Sequence, residues 1–213
     1  MTKYYPINLV LKNKRCVVIG AGVVAERKAR RLLECQAKVL VIAPDATRGL
    51  KALADKGKIV FKQRVFDPAD LKGAYLVIAA TADRKINAAV SSYCLKKNIL
   101  VNIVDSPREC NFILPSIVRR GDLTIAISTN GVSPALSKKI RKDLESIFGV
   151  EYAALLKIMK KIRPQALKKV KSMSARKKFF NKMLEPGMLG LLKKHKTRQA
   201  MRKLRKYLDD AGT

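Results

Sequence analysis

Acidic side chains are scarce in this chain: 16 Asp and Glu stand against 46 Lys and Arg, a formal net charge of +30. Such an excess asks for an anionic partner, whether nucleic acid, an anionic membrane surface or a polyanionic small molecule, and charge alone does not choose among them. Long apolar runs are also missing. No stretch approaches the roughly 20 residues of a bilayer-spanning helix, and the opening Met1-Thr2-Lys3-Tyr4-Tyr5-Pro6 lacks the apolar stretch of a secretory signal. A soluble cytoplasmic protein with no membrane association is therefore expected. Histidine occurs once, as His195, and the cysteines Cys16, Cys35, Cys94 and Cys110 are widely spaced without a C-x-x-C pair. Neither a zinc site nor a disulfide framework is expected, no metal is assigned, and His195 reads as a solvent-exposed residue with no role.

What is present is enough apolar material for a buried core. The 213 residues are 48% hydrophobic and 29% charged, and they exceed a typical single domain of about 100–150 residues, so one main unit with a smaller accessory unit is expected. Apolar runs at 15–19, 39–43, 75–79 and 99–103 read as buried parallel strands. Helix-period stretches at 24–35, 46–56 and 83–97 lie between them, which predicts a doubly wound parallel sheet with helices on both faces. After Pro115 the pattern changes. Ser116-Ile117-Val118-Arg119 and residues 123–128 flank Arg120-Gly121-Asp122 and read as an antiparallel hairpin. Ser133-Pro134 then starts a helix, with serine as N-cap, Leu136, Ile140 and Leu144 on one stripe, and a stop near Gly149. From Glu151 the chain reads as helical, broken near Pro164 and at Glu185-Pro186-Gly187; this tail carries 19 Lys and Arg against Glu151, Glu185, Asp209 and Asp210, a net +15.

Gly20-Ala21-Gly22-Val23-Val24-Ala25 follows the first strand and opens the first helix, matching G-x-G-x-x-A in the context that motif requires. Gly20 allows the sharp turn, Gly22 lets a pyrophosphate approach the backbone, and the free N–H groups of the helix start face the phosphates. The alternative is a purely structural turn. An acid for the ribose hydroxyls belongs at the end of the second strand, where Asp45 follows Pro44; it either binds ribose, which favours NAD over NADP, or caps the next helix. Glu26-Arg27-Lys28 by itself reads as a solvated face with Glu26 and Arg30 paired at i,i+4.

The stretch Gly20 to Ala29 as a whole resembles the opening of the siroheme synthase N-terminal domains, the precorrin-2 dehydrogenase and sirohydrochlorin ferrochelatase family. The resemblance continues through Ala79-Ala80-Thr81-Ala82-Asp83 and Asn87, the stretch Val101 to Pro107, Phe112-Ile113-Leu114-Pro115-Ser116, and the stretch Ile127 to Leu136, and more weakly into Arg176-Lys177-Lys178-Phe179-Phe180. It implies a stand-alone form without a methyltransferase domain, with a Rossmann-like NAD-binding domain over 1–114, a small α+β dimerisation region over 115–149 and a basic helical domain over 150–213. It further implies a homodimer that oxidises precorrin-2, a tetrapyrrole with eight carboxylates, to sirohydrochlorin with NAD; some members also insert Fe²⁺.

On this resemblance the cofactor-binding residues are Gly20, Gly22, Val23, Val24, Pro44, Asp45 and Thr81, and the catalytic residue is the aspartate after the fifth strand, Asp105. A carboxylate beyond the end of a sheet strand is also placed by general chemistry to take a proton as hydride leaves; its alternative is a turn cap before Pro107. Ser128, Thr129 and Asn130 are the substrate-binding loop, where Thr129 either bonds a substrate carboxylate or satisfies its own backbone. Two rivals come from other classes: a nucleic-acid-binding protein using the basic tail, though no reader motif is present, and a non-catalytic NAD-sensing domain.

Overall fold

A run that is apolar at every position buries both faces only inside a sheet covered on both sides, and the computed structural model, which describes residues 3–212, places these runs there. Contacts divide the chain into two units, Met1–Leu114 and Pro115–Thr213. In the first, β1 (Arg15–Ile19), β2 (Lys38–Ala43), β3 (Val60–Gln63), β4 (Leu76–Ala79) and β5 (Leu100–Ile103) form one parallel sheet in the order β3-β2-β1-β4-β5. Three helices connect them: α1 (Val23–Glu34), α2 (Arg48–Asp55) and α3 (Arg84–Lys96).

Successive strand residues point to opposite faces, so Val17 and Val18 serve different cores. On one face Ala25, Ala29 and Leu32 of α1 and Leu50 of α2 pack on Val18, Val39, Val41 and Ile78. On the other, Val90 and Cys94 of α3 pack on Val17, Leu40, Val77 and Val101. Each such Val or Leu removed from water contributes about 1.5–3 kcal/mol before chain entropy is counted. β3 is the strand that the apolar-run criterion passes over. It reads Val-Phe-Lys-Gln, Val60 is 61% exposed, and the strand closes one edge of the sheet, where continuous apolarity is not required.

The register levels the carboxyl ends of the strands. Ile19 lies opposite both Ile42 and Ala79, and Ala79 opposite Ile103. The strand order reverses between β1 and β4, the point where open α/β sheets leave a ligand crevice beyond their carboxyl ends. Thr47, not Asp45, caps α2: its hydroxyl accepts the Leu50 N–H at 3.3 Å, and the helix therefore begins at Arg48 instead of residue 46. The capping alternative for Asp45 is thereby excluded.

In the second unit β6 (Ser116–Arg120) and β7 (Leu123–Ile127) pair antiparallel with Arg120 opposite Leu123, which leaves Gly121-Asp122 as a two-residue turn. Gly121 sits at φ +60 beside Ala153, a left-handed position at which glycine carries no Cβ penalty. α4 (Pro134–Ile147) starts at Ser133, whose hydroxyl accepts the Leu136 N–H, and ends where the Arg120 guanidinium donates to the Phe148 and Glu145 carbonyls. Then follow α5 (Glu151–Lys169), α6 (Met173–Lys182), α7 (Pro186–Lys193) and α8 (Thr197–Gly212). α5 runs through Pro164 without the break expected there. A proline inside a helix removes one hydrogen bond, but Ile158, Ile162 and Ala166 on either side are buried against Phe179, Met188 and Leu204 and hold the helix together.

Candidate active site at the carboxyl edge of the sheet

The turn after β1 has two glycines with different duties. Gly20 sits at φ +95, donates its N–H to the Ile42 carbonyl at 2.9 Å, and a Cβ there would lie 2.5 Å from the Ala80 carbonyl oxygen. Only glycine fits. Gly22 is extended and is the N-cap of α1; no side chain caps this helix, and a Cβ on Gly22 would meet nothing within 4 Å. The first N–H groups of a helix lack internal partners and carry the positive end of its dipole. Open space above Gly22 beside uncapped N–H groups suits a pyrophosphate, so the residues present fit a dinucleotide. Val23 and Val24 flank this space, 79% and 36% exposed, while Ala25 is fully buried and keeps α1 close to the sheet.

The loop after β2 is clamped to the glycine turn. The Thr47 N–H donates to the Ala21 carbonyl at 3.1 Å and the Thr47 hydroxyl donates to the Glu26 carboxylate at 2.5 Å. Arg30 donates to the same carboxylate from the other side at 2.6 and 2.8 Å. The Thr47 hydroxyl and then Arg30 hold the Glu26 carboxyl below its ordinary range. Glu26 is thus more than a member of a solvated run; its pairing with a residue 21 positions away is a signal no local pattern carries. Pro44 and Asp45 are exposed next to this clamp, and the Asp45 carboxylate pairs with Lys51 at 2.7 Å, which with the Ala46 N–H holds its carboxyl below the usual range.

Thr81 follows β4, half-buried. Its hydroxyl donates to the Asn87 side-chain oxygen at 2.9 Å, or to the Asp83 carbonyl at 3.0 Å, and Asn87 returns a bond to the Thr81 carbonyl at 3.1 Å. Its methyl group would stand 3.2 Å from a Cβ on Gly20, so Thr81 walls the same turn.

Asp105 comes two residues after β5. It is exposed, it has φ +61, and among the described residues no hydrogen bond engages its side chain. The turn-cap alternative fails, because Ser106 is the residue that leads into the short 3-10 turn Pro107–Glu109 and neither it nor Asp105 caps it with a side chain. Non-glycine residues in the left-handed region are uncommon and gather where function over-determines the backbone. The loop is fixed by Cys110, a residue that sequence reasoning passed over. Its sulfur accepts the Ile103 N–H at 3.1 Å, and its thiol faces the Ser106 and Ile103 carbonyls at 3.2 and 3.4 Å. Burial pushes this thiol up, against the Ile103 N–H, so it remains a protonated donor. Neighbouring strands lie about 4.8 Å apart, so β5, two strands from β1, puts Asp105 about 10 Å along the edge from the glycine turn, on the side opposite Asp45.

In the second unit Ser128 and Asn130 are exposed, and the Ser128 hydroxyl accepts the Asn130 N–H at 3.0 Å. Thr129 is turned into its own loop: its hydroxyl accepts the Ser133 N–H at 3.0 Å and lies 3.1 Å from the Ser133 carbonyl and 3.2 Å from the Ser137 hydroxyl. The loop hydroxyl therefore satisfies its own backbone. All four cysteines are free, and among the described residues no helix is long and apolar enough to cross a membrane.

Residues 7–116 match the family model described as "Putative NAD(P)-binding", and residues 120–147 match that of the sirohaem biosynthesis protein central region. A siroheme synthase of Nitrosococcus oceani is 39% identical over 183 residues, 86% of this chain and 39% of the relative. A siroheme synthase of Methylococcus capsulatus is 36% identical over 209 residues, 98% of this chain and 44% of the relative. The chain thus spans about two fifths of the length of these curated relatives. A solved structure of SirC, precorrin-2 dehydrogenase, superposes with a TM-score of 0.79 at 27% identity, covering 96% of this chain and 100% of that one.

Proposed function

The chain belongs to the siroheme synthase N-terminal domain family, and from that membership we propose that it is an NAD-dependent dehydrogenase that oxidises precorrin-2 to sirohydrochlorin. The observation that carries the reading is the unengaged Asp105 carboxylate on the same sheet edge as the Gly20–Gly22 turn.

Bound NAD supplies the hydride acceptor; everything else falls to the chain's own groups. Gly22 and the N–H groups of Val23 and Val24 would hold the pyrophosphate, Pro44 and Asp45 would take a ribose, and Thr81 would wall the turn. As a hydride leaves the substrate, Asp105 takes the proton released with it, so the substrate loses two electrons and two hydrogens and the carboxylate becomes a carboxylic acid. Ser128 and Asn130 offer exposed hydrogen-bonding groups to the tetrapyrrole, and the net +30 raises its local concentration by attracting its carboxylates. The protein's own contribution is chiefly orientation.

In this reading the molecule is a cytoplasmic homodimer, with 115–149 as the dimerisation region and 150–213 as a basic helical domain. Support for the dimer is the α4 stripe, where Leu136 is 48% exposed and Ile140 and Leu144 are only half-buried. A self-complementary contact across a two-fold axis is the commonest way to cover such a stripe.

The test is anaerobic incubation with precorrin-2 and either NAD or NADP, following reduced nicotinamide and the tetrapyrrole spectrum together. Sirohydrochlorin with NADH in equal amounts is expected, and a slower reaction with NADP, whose 2′-phosphate meets the Asp45 carboxylate. No turnover with either nucleotide would refute the proposal.

A further inference from the structure

Besides Glu26, Lys28 is a charged residue of α1 whose place the solvated-face reading does not explain. It stands between Ala25 and Ala29, both fully buried, and is itself half-buried, whereas Arg27 and Arg30 on the same helix are exposed. Among the described residues no hydrogen bond or ion pair engages its ammonium. A half-buried lysine without a partner gives up hydration and gains nothing in return, unless a charge faces it across a gap.

Packing puts the Asp105 loop on the α1 face of the sheet. Val104 and Phe112, which bracket the Asp105 loop, lie against the same core cluster as Ala25 and Ala29, which bracket Lys28. The loop between them is held by the Cys110 sulfur, which is bonded to Ile103 and Ser106 on either side of Asp105. The groups that act on Lys28 are Arg27 and Arg31 from its own helix and Asp105 and Cys110 from the loop. Burial, and then the two arginines, lower the Lys28 amine below its ordinary range, while the Asp105 carboxylate acts the other way.

We propose that Lys28 is a positioning residue for the reaction: its ammonium faces the Asp105 carboxylate from α1 and fixes the direction in which that otherwise unengaged group points. The inference rests on the reading of Asp105 as the base. It explains why an exposed carboxylate with no hydrogen bond can still be aimed. A compact ammonium on a flexible stem attracts a carboxylate from several ångströms without committing its oxygens, which stay open to a substrate proton.

Two measurements test it, one of them independent of turnover. In protein carrying ¹³C-labelled lysine, with the Lys28 signal assigned by its loss in Lys28→Met, the amine is expected to titrate at lower pH in Asp105→Asn than in the parent. An unchanged titration would overturn the proposal whatever the enzyme's activity. In the anaerobic assay Lys28→Met is expected to lower kcat about 10-fold with KM for NAD unchanged, and Lys28→Arg to restore only part of it. An unchanged kcat in Lys28→Met, or a change confined to KM for precorrin-2, would contradict it. If the parent itself shows no turnover, the dehydrogenase reading fails, and the titration still decides the Lys28–Asp105 coupling.

Discussion

Replacing the two glycines of the turn one at a time separates folding from cofactor binding. Gly20→Ala puts a Cβ 2.5 Å from the Ala80 carbonyl oxygen, at a backbone position, φ +95, that L-residues avoid. A left-handed backbone costs a Cβ-bearing residue about 1–2 kcal/mol, and forcing an atom into a packed site costs about 1–3 kcal/mol. The Ala80 backbone has little room to yield, since its N–H is bonded to the Ile19 carbonyl at 2.8 Å. The combined loss is about 2–5 kcal/mol, a fall in Tm of roughly 8 °C or more for a unit of this size. Gly22→Ala meets nothing within 4 Å and sits at φ −76, open to any residue. Alanine is a slightly poorer N-cap than glycine, but it also restricts the unfolded chain, and the two effects nearly cancel, within about 0.5 kcal/mol. Its methyl group stands where a pyrophosphate must approach the backbone, so NAD binding is expected to weaken about 10-fold or more, or ~1.4 kcal/mol. Thermal melts in the absence of nucleotide and calorimetric titration with NAD read the two effects separately. A Gly22→Ala protein that binds NAD as tightly as the parent would refute the assignment of that space to the dinucleotide.

Further outcomes follow from the same geometry. Asp70 is a buried carboxylate held by Arg64 at 2.5 and 2.8 Å and by Lys62 at 3.1 Å. Burial alone would raise its pKa, but these bonds and the Asp67 N–H outweigh burial and bring it from 3.8 to about 2. Because the folded value is the lower one, its stabilisation, about 2 kcal/mol, is complete above about pH 4 and disappears as pH falls through about 2. Urea midpoints should fall over that window in the parent and fall less in Asp70→Asn, where only carboxylates such as Glu26 and Asp45 still lose their partners; that variant is less stable at neutral pH. KM for precorrin-2 should rise steeply with added salt while KM for NAD changes little, since screening acts on the attraction between a +30 protein and a polycarboxylate; a salt-independent KM would remove charge from the account.

Much of the fold is written locally in the chain. Val17 to Ile19, Leu40 to Ile42 and Leu76 to Ala79 are apolar at every position, and only a covered parallel sheet accommodates them. β3 escaped this reasoning because an edge strand may be half polar, and Pro164 misled it because burial of Ile162 and Ala166 outweighs one lost backbone bond. The glycine turn was legible because strand, turn and helix adjoin in sequence. The clamp of Thr47 on Glu26, the Cys110 bonds that fix the Asp105 loop, and the placement of Lys28 were not, since each joins elements far apart in the chain and depends on tertiary packing. The left-handed backbone of Asp105 likewise has no local signature beyond the tolerance of aspartate for that region.

On the proposed function the Asp105 carboxylate does the proton chemistry beside a dinucleotide held by the glycine turn. Asp105→Ala, assayed anaerobically with precorrin-2 and in parallel for NAD affinity, tests it most directly. NADH formation is expected at background level, with the NAD dissociation constant within about twofold of the parent, a difference of ~0.4 kcal/mol. Turnover at the parental rate in that variant would contradict it.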